Sequence, residues 1–483
     1  MAVASPARTV ALRLLSRQRR RGARARDLLR GAHEMSSLGS KGRALATRLV
    51  LGANVAAGEL DHRIDAHVMH AGKLEPLVRD AFRLAAFEVL YLDTPTQVSV
   101  SQGVELVRSV QPRAARMANA VLRRIGEGRA QVDDAREVVA AVAAGAKREP
   151  SEEELYLASG YPSWIVRRLV GTLGPRAAAS VCAGALEPAP VYVSVPPFGG
   201  EEVVARMEAE GLEPVEAGLP RAWRIGQAGA LGSSGLVRAC AVVTADLAAQ
   251  AVCRMASVAS GRLLEVGQGR GTKSLLLVGD AAELSGKSGT LEVHGCDSIA
   301  SKVRVSRERM RVAGLPTTVS CTEFDATKLG NDEEIPAELS GSFDAVLVDA
   351  PCSGSGTMRR HPEIPWSLDE AALDVANEGS LPCLQLSLLE AAAGRVAPGG
   401  SLVYATCSLF DEENVGVVDA FLASDAGRGF RRENVLEAPG VASLDDRARL
   451  VVSSWVSERG DFQSVPIEGS FDGHYCCRLV RRV

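Results

Sequence analysis

The chain has 483 residues, too many for one hydrophobic core, so about two to four domains are expected. At 46% hydrophobic and 24% charged residues it is ordinary globular material, and a net charge of −4 gives it no general attraction to phosphate. No apolar run is long enough to span a bilayer, no secretory signal opens the chain, and ten scattered cysteines lack metal-ligand spacing, so neither a membrane nor a metal is expected, and free thiols in the cytoplasm are.

Residues 5 to about 128 read as helical throughout. Apolar residues recur at three and four: Val10 and Leu14; Leu45 and Leu49; Leu77, Ala81 and Leu84; Met117, Val121, Leu122 and Ile125. Gly58, Gly72 and Pro95 stand between the periodic segments, which predicts a bundle of about five or six helices. Its start is basic, with Arg8, Arg13, Arg17, Arg19, Arg20, Arg21, Arg24, Arg26 and Arg30 against Asp27. Such a cluster can meet phosphates or can simply be a solvated helix end. Residues 129–150 suit either a helix or a linker. Ser151 followed by Glu152, Glu153 and Glu154 marks a helix start, and short helical pieces carry Trp164, Ile165, Leu169 and Val170. Residues 190–226 predict a small α+β module, with strands at 191–195 and 223–225 and a helix at 201–210.

From Ala239 onward strands alternate with helices. Strands are predicted at 262–266, 291–296, 319–323, 345–348 and 402–406, with a helix through Val303, Arg307 and Met310 and a crossover within 369–396. A last strand is predicted at 474–480. The alternation implies a parallel, doubly wound sheet. The fold class is therefore multidomain: an all-α bundle at 1–130, a linker and small α+β module at 131–238, and a Rossmann-like α/β domain at 239–483.

The first strand of that domain runs into Gly267, Gln268, Gly269, Arg270, Gly271, Thr272, Lys273 and Ser274 before an apolar helix. Glycines let a ligand approach the backbone, and a helix start offers unpaired amides. The spacing is neither that of a phosphate-binding loop nor that of a dinucleotide fingerprint. Acids follow the next strand ends, Asp297 and then Asp325, as ribose-gripping acids do, although an Asp there can equally be a helix cap. Three such ends in order suggest an adenosyl cofactor. The fourth strand delivers Asp349, Pro351 and Cys352, and the fifth delivers Cys407, so two thiols and one carboxylate are expected on one sheet edge.

These residues resemble a known family. Asp349-Ala350-Pro351-Cys352-Ser353-Gly354, with Arg359-Arg360-His361-Pro362-Glu363-Ile364 and Trp366 after it, and Tyr404-Ala405-Thr406-Cys407-Ser408 with Glu412-Glu413-Asn414, look like the two signature motifs of the Sun/RsmB-type RNA cytosine-5 methyltransferases. The N-terminal helices resemble the NusB-like RNA-binding domain, with Asn119-Ala120-Val121-Leu122-Arg123-Arg124 matching its closing helix. The resemblance implies S-adenosylmethionine as cofactor, held by residues 267–273 with Asp297, Asp325 and Asp349. It implies 16S ribosomal RNA as partner, Cys407 as the attacking thiol, Cys352 as the thiol that helps release the product, and Asp349 as the group that binds the base. Lys273, Arg359 and Arg360 are candidates for polar contacts in the site. A monomer is expected. Transfer RNA as substrate, or a non-catalytic RNA-binding role in ribosome assembly, are the alternatives.

Two departures from the family stand out. The cofactor turn keeps Gly271 and Lys273 but lacks the usual cysteine and proline, and Val193-Ser194-Val195-Pro196 replaces an Arg-x-Asn in the middle module. Cys182, Cys240, Cys253, Cys296, Cys321 and Cys383 are expected to be inert, buried thiols. His361 is expected to be a loop residue, and Trp366 either stacks on a base or belongs to a core.

Overall fold

The computed structural model describes residues 3–21, 25–200, 202–286, 291–315, 317–331, 333, 335–467 and 470–483. Contacts divide the chain into two compact units. One comprises Met1–Pro188 with Thr357–Asp369, and the other Ala189–Gly356 with Glu370–Val483.

The first unit is helical. Its longer N-terminal helices are Pro6–Arg21, Ser40–Val55, Ala57–His67, Pro76–Tyr91, Thr96–Val110 and Ala115–Glu127. The short helices Ala25–Gly31 and His33–Ser36 lie between the first two. Helix Ala115–Glu127 shows why they form: Ala118, Val121, Leu122 and Ile125 are buried on one face, and Arg116, Arg123 and Arg124 are exposed on the other. Leu14, Leu49, Leu60, Phe82 and Phe87 fill the shared core. The undecided stretch after the bundle is a helix, Arg129–Ala143. Helix Glu152–Ser159 starts in a capping box, in which Ser151 Oγ accepts from Glu154 N and the Glu154 carboxylate accepts from Ser151 N.

Much of the basic N-terminus has structural partners. Arg8 forms a buried pair with Glu88, Arg17 pairs with Glu34, and Arg19 lies 3.0 Å from Asp80. Arg13 and Arg20 are exposed. Arg24, and the side chains of Arg21, Asp27 and Arg30, lie outside the described residues. Trp366 is 38% exposed, and it is anchored within this unit: its Nε1 donates to Val55 O at 2.6 Å, and its ring covers Gly58.

The second unit begins with a small antiparallel sheet. Its strands are β1 (Val191–Ser194), β2 (Pro214–Glu216), β3 (Ala222–Ile225) and β4 (Val243–Thr244), in the order β2-β3-β1-β4. The helix expected at 201–210 is Val203–Ala209, with Glu201 outside the described residues.

The large sheet follows, with β5 (Gly261–Val266), β6 (Leu291–Asp297), β7 (Val319–Glu323), β8 (Phe343–Asp349), β9 (Val396–Thr406), β10 (Phe430–Glu433), β11 (Phe462–Gln463) and β12 (Tyr475–Arg481). The order is β10-β12-β9-β8-β5-β6-β7, with β11 on β12. Five strands from β7 to β9 are parallel, but β12 pairs antiparallel with β9. The expected wholly parallel sheet is thus corrected to a mixed one. Successive residues point to opposite faces. Leu263, Leu347 and Val403 pack toward helices Leu247–Ala256 and Thr272–Leu284. Leu264, Val346 and Leu402 pack toward helix Leu381–Ala393, the crossover between β8 and β9.

The strand order reverses direction between β5 and β8. Open α/β sheets bind ligands in the crevice at such a switch point, beyond the carboxyl ends of the strands.

Candidate active site

The turn after β5 lies at that switch point. Gly267, Gly269 and Gly271 have φ of 81°, 60° and 73°. Gly267 is required by close approach: a Cβ there would stand 2.3 Å from Asp349 O at the end of β8. The turn hangs from β6, with Gly267 N and Gln268 N donating to Cys296 O at 3.0 and 2.9 Å. Asp297, the last residue of β6, accepts from Gly269 N at 3.0 Å and Ile299 N at 2.9 Å. Asp325 is exposed and caps a short turn through Thr327 N. Arg309, which sequence reasoning passed over, donates to Arg270 O and Thr272 Oγ1, both at 2.9 Å.

Gln268 departs from its expected role as a ligand contact. Its side chain is buried under the turn against Gly295 and donates to Ser274 Oγ at 2.9 Å. Ser274 donates in turn to Glu265. Burial pushes the Glu265 carboxyl up to about 8.

Lys273 Nζ lies 2.6 Å from Asp349 Oδ2. Burial acts to lower the Lys273 pKa, but the Asp349 carboxylate, with Cys253 and Glu265 behind it, leaves the net shift upward. Asp349 opposes Ala405 in the β8–β9 register, so the loops after the two strands emerge side by side. They bring Cys352 Sγ within 3.3 Å of Cys407 Sγ. Contact with Cys407, then burial, then the Glu413 charge push the Cys352 thiol well above its ordinary range. Both thiols are partly exposed. Cys182, Cys240, Cys253, Cys296 and Cys321 are buried, as expected for inert thiols, whereas Cys383 is partly exposed.

Arg359 and Arg360 fall in the segment that packs with the helical unit. His361 Nδ1 lies 3.6 Å from Glu363 there.

The turn suits an adenosyl amino acid. A Cβ on Gly269 would meet only Gly267 O, at 3.8 Å, so the backbone there faces open space. Carboxylates end or follow β6, β7 and β8 in turn, matching the hydroxyls and cationic groups of such a ligand. Among the described residues no group of acids, histidines and cysteines is arranged to hold a metal ion. No helix among them is long and apolar enough to cross a membrane.

A mixed sheet of this order with its glycine turn at the switch point defines a Rossmann-like methyltransferase fold. The family model for 16S rRNA methyltransferase RsmB/F matches residues 282–479, and that of the NusB family matches residues 5–127. Ribosomal RNA small subunit methyltransferase B of Xanthomonas campestris is 32% identical over 72% of this chain and 71% of its own. The protein of that name from Thermus thermophilus is 29% identical over 83% of this chain and 84% of its own. The crystal structure of PH0851 covers 99% of both chains with a TM-score of 0.71 at 21% identity, a likeness of fold. NSun6 from Pyrococcus horikoshii, solved with SFG, an analogue of S-adenosylmethionine, covers 68% of this chain and 99% of its own with a TM-score of 0.52 at 15% identity. The chain belongs to the RsmB/F family of methyltransferases and uses S-adenosylmethionine.

Proposed function

We propose that the chain methylates carbon 5 of a cytosine in 16S ribosomal RNA through a covalent adduct between Cys407 and carbon 6. The observation that carries this reading is the 3.3 Å contact of Cys352 and Cys407 beside the Lys273–Asp349 pair. When bound, S-adenosylmethionine supplies an electrophilic methyl group.

Carbon 5 of cytosine is a poor nucleophile. Bonding Cys407 Sγ to carbon 6 makes carbon 5 electron-rich, dividing one hard step into easier ones. The nucleophile must be a thiolate, and two touching thiols do not both ionise readily. The family resemblance gives the attack to Cys407, with Cys352 as the neighbouring thiol whose pKa is pushed up by that contact. Asp349 binds the exocyclic amine and ring nitrogen 3, where a carboxyl that holds or donates a proton offsets charge developing on the ring. Lys273 orients that carboxyl.

Once carbon 5 is methylated, its proton must leave and the Cys407–carbon 6 bond must break to restore the ring double bond. Cys352, its own proton lost to solvent, accepts the carbon 5 proton in this reading, and the electron pair left behind re-forms the carbon 5–carbon 6 double bond as the Cys407 thiolate leaves.

Residues 267–273, with Asp297, Asp325 and Asp349, form the cofactor site in this reading. Gln268 contributes its backbone only. Residues 1–130 act as the RNA-binding bundle, 131–238 as the connecting module and 239–483 as the catalytic domain of a cytoplasmic monomer. The target base must be unstacked to reach the thiols. The names of the relatives support ribosomal over transfer RNA. Mapping 5-methylcytosine in both RNA pools of a deletion strain tests the choice: loss from 16S RNA is expected, and loss confined to transfer RNA would overturn it.

A further inference from the structure

We infer that Glu413 is a positioning residue that sets the two thiols at contact distance by gripping both cysteine-bearing loops. This rests on the two-thiol reading above and assigns a role to a buried acid that touches neither base nor cofactor in that reading.

Glu413 is fully buried. Its carboxylate takes a donor from the residue that directly follows each cysteine. Ser353 N donates to Oε1 at 2.7 Å and Ser353 Oγ donates to Oε2, while Ser408 Oγ also donates to Oε2. A fourth donor, Gln385 Nε2 from the crossover helix, reaches Oε1 at 3.0 Å and Pro351 O at 2.9 Å. All four donors are neutral, and two carboxylate oxygens offer about four acceptor sites. A glutamine in this place would present an NH2 group to donors and could not take the same set.

The acid is itself held. Tyr404 OH donates to Glu413 O at 2.6 Å, and the neighbouring Asn414 donates to Ser408 O at 3.0 Å. Around the carboxylate the two loops touch directly. Ser353 Oγ and Ser408 Oγ are 3.2 Å apart, Leu409 N donates to Ser355 Oγ at 2.8 Å, and Gly356 N donates to Cys407 O at 2.9 Å.

A buried carboxylate is costly unless its hydrogen bonds are complete. An apolar residue would pack this space without that cost. What the apolar residue could not do is bind the loop after β8 to the loop after β9. A misplacement of about 1 Å between reacting groups costs on the order of 10²-fold in rate. The clamp thus acts on the chemical step through Cys352 and Cys407, not through cofactor affinity.

The test uses the full chain with unmodified 16S RNA. Wild type, Glu413→Gln, Ser408→Ala and Cys407→Ala are compared for kcat, for KM of S-adenosylmethionine and, in a Cys352→Ala background, for the rate of covalent RNA adduct formation. Glu413→Gln is expected to lower kcat and adduct rate by on the order of 10²-fold with the cofactor KM unchanged. Ser408→Ala removes one of the four donors, together with the acceptor of Phe410 N at 3.1 Å, but keeps the buried carboxylate itself, so it carries the test if Glu413→Gln does not fold, and about a tenfold loss is expected. A merely structural role would instead raise the cofactor KM and lower the melting temperature without the selective loss of adduct. Wild-type adduct rates in folded Glu413→Gln or in Ser408→Ala, with Cys407→Ala inactive, would overturn the clamp alone. An active Cys407→Ala would instead overturn the two-thiol reading on which the clamp rests.

Discussion

Lys273 Nζ and Asp349 Oδ2 lie 2.6 Å apart, joining the helix after the glycine turn to the end of β8. The pair links the cofactor turn to the carboxylate assigned to the base. Replacing Lys273 with methionine keeps the length of the side chain and removes its charge. The expected result is a fall in kcat on the order of 10²-fold, because Asp349 loses the group that orients it. Steady-state kinetics on unmodified 16S RNA checks this.

Gly267 and Gly269 are expected to respond differently to alanine. Both have positive φ, which costs a side-chain residue about 1–2 kcal/mol. At Gly267 the new methyl would also stand 2.3 Å from Asp349 O, whereas at Gly269 its nearest neighbour would be 3.8 Å away. Gly267→Ala should therefore displace the end of β8 and lower both the melting temperature and cofactor affinity. Gly269→Ala should lower the melting temperature less. Thermal unfolding and calorimetry separate the two.

Glu265 should make folding sensitive to pH. Its folded value of about 8 lies above its ordinary 4.5. The folded state therefore holds a proton that the unfolded state releases between those values. Stability from this group is fully present below pH 4.5, falls as pH rises, and levels off above pH 8, with a total on the order of a few kcal/mol. Denaturant unfolding at pH 5 and pH 8 should show a smaller drop in Glu265→Gln than in wild type.

In the helical unit, Gly58 and Trp366 should be energetically coupled. A Cβ on Gly58 would fall 1.8 Å from the indole ring. Gly58→Ala is expected to destabilise by about 1–3 kcal/mol through overpacking. Trp366→Ala should remove most of that penalty in a double-mutant cycle read by thermal unfolding.

The parallel strands were legible because they are buried on both faces and read as short apolar runs. The direction of β12 was not, since it depends on pairing with the distant β9. Strand β10, Phe-Arg-Arg-Glu at the sheet edge, carries no apolar run and was missed. At the site, Cys352, Cys407 and Asp349 stood out by type and position at strand ends. Glu413 did not stand out beyond its motif, because its burial depends on donors at residues 353, 385 and 408 that only the fold assembles. Gln268 occupies a ligand-like place in the turn, yet its side chain turns inward because Gly295 leaves room for it.

The most direct measurement of the central claim is methyl transfer from labelled S-adenosylmethionine to unmodified 16S RNA, comparing wild type, Cys407→Ala and Cys352→Ala, with the proteins also run on a denaturing gel. Wild type should label carbon 5 of a cytosine, Cys407→Ala should label none, and Cys352→Ala should stall as a covalent protein–RNA adduct. Methylation by Cys407→Ala, or a silent wild type on both free RNA and assembled subunits, would contradict the account.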